Sequence, residues 1–336
     1  MKAGPSLIIF LFLLVSPGLY PVAAESALEA EASPALWGPF LTDMTSDSVN
    51  VTWWTEDASY GSVFYRQEKD QTGETSPRIV NDDRTSLVHR IRLTNLTPDQ
   101  TYSYTVSGRE GEYFFRTFPE EGTIRFVVYG DTREQLPEWN QSTHHALVAE
   151  RIDEEQDILF VVHTGDLVND PDDTSEWNRV FAAAGPMMNH IPFYPVAGNH
   201  EGDSGVIEEF FGLPLWYVIR CGDIRVVVLD SNPLPPQEIS AQDEFADAIL
   251  KERDTWTFAA IHHPLYSADP NHPGGFLDVR KRWEPVFMEW GVHAVFSAHV
   301  HAYEHVEQEG IHYFTVATGG APSYSFSNCW RCFKGG

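Results

Sequence analysis

Residues 158–170 read ILFVVHTGDLVND, an apolar run that ends in a Gly-Asp pair. An earlier stretch, IRFVVYGD over residues 124–131, has the same design. Continuous apolar strands of this kind are typical of sheets that are covered on both faces. Helix-like segments separate the apolar strands, around residues 142–156, 175–184, 239–253 and 279–290. This alternation predicts a layered α/β domain over residues 123–336.

A different pattern precedes the α/β region. Short runs of alternating apolar residues, such as Val49, Val51 and Trp53, are separated by turns rich in Asp, Gly and Asn. The pattern predicts an antiparallel β-sandwich of about seven strands over residues 34–118. Within it, Leu93–Tyr102 resembles the Leu-x-Pro-x-x-x-Tyr corner of fibronectin type III modules, in which the Tyr hydroxyl bonds to the preceding turn. We expect this domain to serve in packing and presentation.

Residues 1–24 have the features of a secretory signal peptide. Lys2 precedes an apolar run over Leu7–Val15, and small residues end the segment at Ala23-Ala24, which predicts cleavage before Glu25. The apolar run is shorter than the ~20 residues that a membrane-spanning helix needs. We therefore expect a secreted or cell-envelope protein with no stable membrane span after cleavage. The alternative is an uncleaved N-terminal anchor.

The composition restricts the possible partners. The 336 residues include 22 Lys and Arg against 49 Asp and Glu, which gives a formal net charge of −27. Because so acidic a surface repels polyanions, a duplex nucleic acid is not an expected partner. The three cysteines, Cys221, Cys329 and Cys332, are too few for a disulfide framework and cannot all pair. Their pairing and the oligomeric state stay open.

Five predicted strands each end in residues that can bind a metal ion. These residues are Asp131, Asp166, Asn199 with His200, His262 with His263, and His299 with His301. One Gly-Asp pair alone would indicate a turn, but the carboxyl ends of neighbouring strands share an edge, where such residues can converge. Carboxylates, one amide and several imidazoles suit Zn, Fe or Mn ions. The sequence therefore predicts a metal centre, and the number of ligands fits two ions better than one.

Read in order, the motifs resemble the five blocks of the calcineurin-like metallophosphoesterases. The blocks are Gly130-Asp131, Gly165–Asn169, Gly198–Glu201, Ile261–Pro264 and Ala298–His301. The following Ala302-Tyr303-Glu304 and the preceding β-sandwich resemble the purple acid phosphatase branch. The resemblance implies a four-layer α/β domain and an exported hydrolase of phosphate monoesters. The alternatives are a phosphodiesterase or nucleotide hydrolase of the same superfamily, and a non-catalytic envelope or adhesion protein with a degenerate domain.

The resemblance also implies roles for individual residues. Its metal ligands would be Asp131, Asp166, Asn199, His262, His299 and His301, with Asp166 bridging the two ions. A metal-bridged hydroxide would attack a small phosphorylated substrate. His200 would protonate the leaving group, or else orient a carboxylate. His263 would contact the phosphate, or else be packed away.

The chain departs from the family pattern beside the first ion. Asn169 stands where purple acid phosphatases have Tyr, and Arg133 stands where many other members have His. Asn169 or water would then complete the coordination. Arg133 would hold the substrate phosphate, a role suited to guanidinium geometry, or would form a surface salt bridge. The family usually continues beyond the end of this chain, so a final strand or substrate loop is open to question.

Three other histidines are interpreted as structural. His144 and His145 lie in the first predicted helix, and we expect them on its solvated side. His163 lies within an apolar strand, where a core or edge histidine with satisfied hydrogen bonds is the expected state.

Overall fold

The computed structural model describes residues 9–10, 37–68, 76–135, 140–202, 205–252 and 256–324. Most of the predicted signal peptide, together with Cys329 and Cys332, lies outside the described residues. Cys221 is buried and has a free thiol. In the described part of the chain, no helix combines the length and the apolar character needed to cross a bilayer.

An antiparallel β domain comes first, as predicted. Its described strands are β2 (Phe40–Thr42), β3 (Val49–Gln67), β4 (Arg78–Leu93), β5 (Thr101–Val106) and β6 (Tyr113–Arg116), after a two-residue β1 (Ile9–Phe10) that belongs to a later sheet. Among the described residues this domain has five strands instead of about seven, because β3 and β4 extend over 19 and 16 residues. The first part of β3 pairs with β2 and its last part pairs with β5. One long strand therefore takes the place of two shorter ones.

The predicted tyrosine corner is confirmed. Tyr102 is buried, and its hydroxyl oxygen accepts a hydrogen bond from the Thr97 N–H at 2.8 Å. The Tyr102 ring stacks on Phe115 in the core of the domain, with ring centroids 5.4 Å apart. The hydrogen bond therefore fixes the turn before β5 to the core.

The described residues of the α/β part form two sheets, four α-helices and a short π-helix at Ile207–Phe211. The strands are β7 (Arg125–Tyr129), β8 (Ile158–His163), β9 (Phe193–Pro195), β10 (Tyr217–Cys221), β11 (Ile224–Val228), β12 (Trp256–Ala260), β13 (Ala294–Ser297), β14 (Tyr303–Gln308) and β15 (Ile311–Val316). The helices are α1 (Gln141–Asp153), α2 (Thr174–Met188), α3 (Pro236–Leu250) and α4 (Leu277–Trp290), close to the predicted segments. The first sheet has the order β1-β7-β8-β9, and the second has the order β10-β11-β12-β13-β15-β14.

The two sheets pack face to face. Phe126 of the first sheet contacts Phe258 and Phe296 of the second, with ring centroids 5.8 and 6.1 Å apart. Apolar residues of α1 and α2 join the core of the first sheet, and Trp283 and Phe287 of α4 cover the outer face of the second. The result is the predicted four-layer α/β arrangement, helices outside and sheets inside.

Aromatic side chains join the β domain to the α/β part. Trp37 stacks on Phe181 of α2 at 5.1 Å, and Phe40 stacks on the same ring at 5.5 Å. The Trp37 indole N–H donates a hydrogen bond to Asn178 Oδ1 at 2.6 Å. Because all three rings are buried, the two parts share one apolar core.

Candidate metal centre

The six predicted metal ligands meet where the two sheets come together. Each follows the carboxyl end of a strand: Asp131 follows β7, Asp166 β8, Asn199 β9, His262 β12, and His299 and His301 β13. Asp131, Asp166 and His299 have left-handed backbone conformations, with φ of 54°, 58° and 66°. Such conformations are uncommon for residues with a side chain and concentrate at functional sites. The strand ends also contact one another, since His299 N–H donates to Asp131 Oδ2 at 2.8 Å.

One half of the site holds Asn199, His262 and His299. Asn199 Oδ1 lies 3.0 Å from His262 Nε2 and 2.7 Å from His299 Nδ1, and the two ring nitrogens are 3.2 Å apart. His262 Nδ1 lies 2.8 Å from the Thr164 carbonyl oxygen, which can only accept, so Nδ1 carries the proton of the neutral ring. His262 Nε2 then faces the Asn199 oxygen and Asp166 Oδ1, 3.4 Å away. A bound cation would satisfy all three atoms.

The other half holds Asp131 and His301, both buried. His301 Nδ1 lies 2.8 Å from the Pro322 carbonyl oxygen and therefore carries the proton of the neutral ring. His301 Nε2 lies 3.1 Å from Asp131 Oδ1, yet within the described part of the chain this oxygen has no partner with hydrogen-bond geometry. A carboxylate oxygen and a ring nitrogen thus face one another, as two ligands of one cation do.

Asp166 lies close to both halves. Metal-binding atoms of Asp131, Asp166 and His262 all lie within 4.8 Å of one another. The donor set of carboxylates, imidazoles and one amide is the kind that Zn, Fe and Mn accept. The residues present therefore fit two cations that share Asp166.

Electrostatics keep the site ready for cations. Burial would raise the pKa of Asp131, but the adjacent imidazoles of His301 and His262 outweigh it and lower the value to about 2. Burial, with help from His262, lowers the pKa of His299 to about 3. Near neutral pH the carboxylate is therefore ionised and the His299 ring is neutral, which are the forms that bind metals. Burial would lower the pKa of His262, but the Asp166 and Asp131 carboxylates outweigh it and raise the value, so a cation bound at Nε2 would displace a proton from this ring.

Arg133 and Asn169 lie beside Asp166. Arg133 Nε is 3.4 Å from Asp166 Oδ2, and the Arg133 guanidinium donates a hydrogen bond to Asn169 Oδ1 at 3.3 Å. The Arg133 side chain is 15% exposed and lines an open cleft above the centre. The structure thus places Arg133 inside the cleft, and a surface salt bridge does not describe it.

His200 and His263 have different surroundings. His200 lines the cleft, and its Nδ1 lies 2.8 Å from the Asn169 carbonyl oxygen. His263 is buried, its Nδ1 lies 2.9 Å from the Ser231 hydroxyl, and burial together with neighbouring imidazoles lowers its pKa to about 2. Among the described residues that line the cleft, His263 does not occur. His263 is nevertheless adjacent to the centre, since metal-binding atoms of His262, His263 and His299 lie within 4.8 Å of one another.

The prediction for His145 was wrong. His145 is fully buried, and its Nε2 lies 3.0 Å from the Tyr129 hydroxyl. This side of α1 is covered because the turn at Gly320 lies against the helix backbone; a Cβ at Gly320 would be 3.0 Å from the His145 nitrogen. His163 is also buried, which confirms its interpretation as a core histidine.

Sequence reasoning missed several residues of the site. Asp269 and His272 lie in the loop between β12 and α4, where Asp269 Oδ2 is 2.8 Å from His272 Nδ1. Both line the cleft, together with Tyr324, whose ring stacks on His301 at 4.6 Å. The buried carboxylate of Glu201 binds the loops behind the ligands. Glu201 belongs to the Gly198–Glu201 motif, so its position in that motif was the available signal.

Comparison with known families agrees with this geometry. The model of the calcineurin-like phosphoesterases matches residues 124–303, more than half of the chain. The chain belongs to the calcineurin-like phosphoesterase family. The purple acid phosphatase N-terminal domain matches residues 40–122 of this phosphoesterase. The recognition made from the five motifs is thereby confirmed.

Relatives point to the same branch. The chain is 25% identical to purple acid phosphatase 22 of Arabidopsis thaliana over 77% of its own length and 64% of the relative's. It is 24% identical to the phosphoenolpyruvate phosphatase of Allium cepa over 78% of its length and 60% of the relative's. The chain thus spans somewhat less than two thirds of these relatives. A purple acid phosphatase from yellow lupin (Lupinus luteus) seeds has the same fold, with a TM-score of 0.69 and 19% identity over 88% of this chain and 66% of that one.

Proposed function

We propose that this protein is an exported hydrolase of phosphate monoesters that works with two metal ions. The observation that carries the proposal is that Nε2 of His262 and Nε2 of His301 face carboxylate or amide oxygens at 3.0 to 3.4 Å, while the Nδ1 atoms of both rings lie 2.8 Å from backbone carbonyl oxygens. Membership of the phosphoesterase family and the similarity to proteins named as phosphatases support it.

The ligands would divide into two sets that share Asp166. Asp131 and His301 would hold one ion, and Asn199, His262 and His299 the other. Two bound ions stabilise negative charge on the phosphoryl oxygens and lower the pKa of an attacking water. The protein itself fixes the ligand rings through the Thr164 and Pro322 carbonyl oxygens, as 2.8 Å contacts to the distal ring nitrogens indicate.

The cleft residues would bind and orient the substrate. Arg133 is held by Asp166 and Asn169, so its guanidinium presents fixed donors to a phosphate. His200 is oriented by the Asn169 carbonyl oxygen and would transfer a proton from Nε2 to the leaving oxygen. His272, paired with Asp269, supplies a second oriented imidazole at the mouth of the cleft.

The choice of monoesters and the export are separate parts of the proposal. The relatives' names, purple acid phosphatase and phosphoenolpyruvate phosphatase, support a small phosphorylated substrate with one ester bond. A phosphodiesterase is the alternative within the family. Export rests on the signal-peptide features of residues 1–24.

Elemental analysis of the natively purified protein, combined with hydrolysis of p-nitrophenyl phosphate, tests the proposal. We expect two equivalents of Fe, Zn or Mn, and turnover that falls by at least ~10³-fold in Asp166→Ala. Asp170→Asn is the matched control, because Asp170 is an exposed carboxylate on the same loop. This variant should keep the metal content and the turnover of the wild type. Metal-free, inactive, folded protein would favour a non-catalytic scaffold, and faster hydrolysis of bis-p-nitrophenyl phosphate would favour a phosphodiesterase.

A further inference from the structure

The Glu201 carboxylate is buried behind the metal centre and accepts four backbone hydrogen bonds. Oε1 accepts from the N–H groups of Leu167 and Val168, at 2.8 and 3.1 Å. Oε2 accepts from the N–H groups of Asp166 and Gly198, at 3.0 and 2.9 Å. Only 1% of Glu201 is exposed to solvent. One side chain therefore satisfies donors from two separate loops.

The four donors lie beyond the ends of the strands that precede them. β8 ends at His163 and β9 ends at Pro195, so the pairing between strands stops before these N–H groups. A buried backbone N–H without an acceptor destabilises the folded chain. The Glu201 carboxyl group removes this penalty at four positions.

The two loops touch at the position of Gly198. A Cβ atom on residue 198 would lie 2.2 Å from Asp166 Oδ1 and 2.8 Å from Glu201 Oε2. His200 N–H also donates to Asp166 Oδ1, at 3.2 Å. The loop that carries Asn199 and the loop that carries Asp166 are thus held in direct contact, with Glu201 bonded to both.

We infer that Glu201 is a positioning residue, which sets the separation of Asp166 from Asn199 and so builds the second ion's site before the ion binds. The inference rests on the proposed function, because it gives these two residues a shared cation. A residue at position 201 without two acceptor oxygens would not hold both loops.

Glu201→Gln tests the inference in the full-length chain. The amide keeps one acceptor oxygen, but its NH₂ group meets two N–H donors, so two of the four hydrogen bonds are lost. We expect the Kd for Zn²⁺ or Mn²⁺, measured by chelator competition on the apo-protein, to rise about 10- to 100-fold. Glu201→Asp keeps the charge but is one methylene shorter, so it reaches one loop and should raise the Kd by a smaller factor. If Glu201→Gln does not fold, the metal Kd of Glu201→Asp decides the question. A raised Kd supports the inference, and an unchanged Kd overturns it.

Tyr102→Phe is the matched control. It removes the buried hydroxyl that accepts the Thr97 backbone N–H in the β domain, far from the metal ligands along the chain. It should lower the melting temperature without a change in metal Kd. Variants at position 201 that lose stability but bind metal as the wild type does would overturn the inference alone. A wild-type chain that binds no metal and hydrolyses no ester would overturn the proposed function and this inference together.

Discussion

His200 Nδ1 lies 2.8 Å from the backbone carbonyl oxygen of Asn169. Because a carbonyl oxygen accepts hydrogen bonds and cannot donate, this contact places one ring proton at Nδ1 and turns Nε2 towards the cleft. His200 Nε2 is 3.8 Å from Asp166 Oδ2, beside the proposed metal centre. An Ala or Asn at position 200 could not present a proton donor there, so the ring orientation leads directly to a kinetic prediction.

Replacing His200 by Gln should affect substrates according to their leaving groups. An alkoxide needs a proton to leave, and we expect kcat/KM for an alkyl phosphate to fall by ~10² to 10⁴. p-Nitrophenolate leaves without protonation, so its kcat/KM should fall much less. Steady-state assays of both substrates measure the difference, with His190→Gln on the protein surface as the control. Equal losses for both substrates would show that His200 only orients a carboxylate.

Arg133→Lys should weaken substrate binding more than turnover. Lysine keeps the positive charge but lacks the planar fork that binds two phosphate oxygens. We expect KM for p-nitrophenyl phosphate to rise about 10-fold, with kcat changed by less than about 3-fold. Arg179→Lys, which alters an ion pair with Glu134, is the control. An unchanged KM in Arg133→Lys would mean that Arg133 pairs with Asp166 and does not bind the substrate phosphate.

The buried His145 should make the protein sensitive to acid. Burial lowers the pKa of His145 from 6.5 to about 3. Between these values the unfolded chain binds a proton that the folded chain does not, so the free energy of unfolding decreases as the pH falls through this window. His145→Gln removes that proton, and the slope should become shallower by up to ~1.4 kcal/mol per pH unit. Urea unfolding at pH 7, 6, 5 and 4 measures the slope; identical slopes in both proteins would contradict the assignment.

Phe181→Ala should destabilise both parts of the chain together. The ring fills the junction between the β domain and α2, and its loss should cost ~3 to 5 kcal/mol. Because the core is shared, tryptophan fluorescence and far-UV circular dichroism should give one coincident transition. Phe64→Ala is the control, because Phe64 is 47% exposed. It should change the free energy of unfolding by less than about 0.5 kcal/mol. Two separate transitions in the wild type would argue against a shared core.

The strand ends were predictable from sequence because their pattern is local. Each apolar run, such as Ile158–His163, stops at a Gly or a polar residue that cannot continue a buried strand, and longer segments of mixed polar and apolar residues separate the runs. The order of these elements is enough to bring Asp131 and Asp166 to one edge. The division into two facing sheets was implied by the family resemblance, since an apolar run does not reveal which neighbour it pairs with.

The rest of the site depends on contacts that no local pattern encodes. His145 is buried because a turn some 175 positions later lies against its helix. Asp269 and His272 belong to a loop without a repeating pattern, and their place in the cleft follows from how that loop packs against His299; the His272 and His299 rings are 5.5 Å apart. The sequences of β3 and β4 resemble several shorter strands because polar residues interrupt their alternation. The two strands nevertheless pair with each other on both sides of two register shifts, between Trp54 and Ser59 and between Tyr60 and Ser62.

The missing side chain at Gly198 limits where new specificity can arise. Any larger residue at position 198 would push the Asp166 loop outward. The floor of the cleft, formed by Gly198 and Asp166, therefore tolerates almost no substitution. The walls of the cleft, which include Asn271 and Tyr324, can change more freely because these side chains reach solvent while they line the same opening. A laboratory library that aims to retarget this protein should therefore randomise the walls and leave the floor intact.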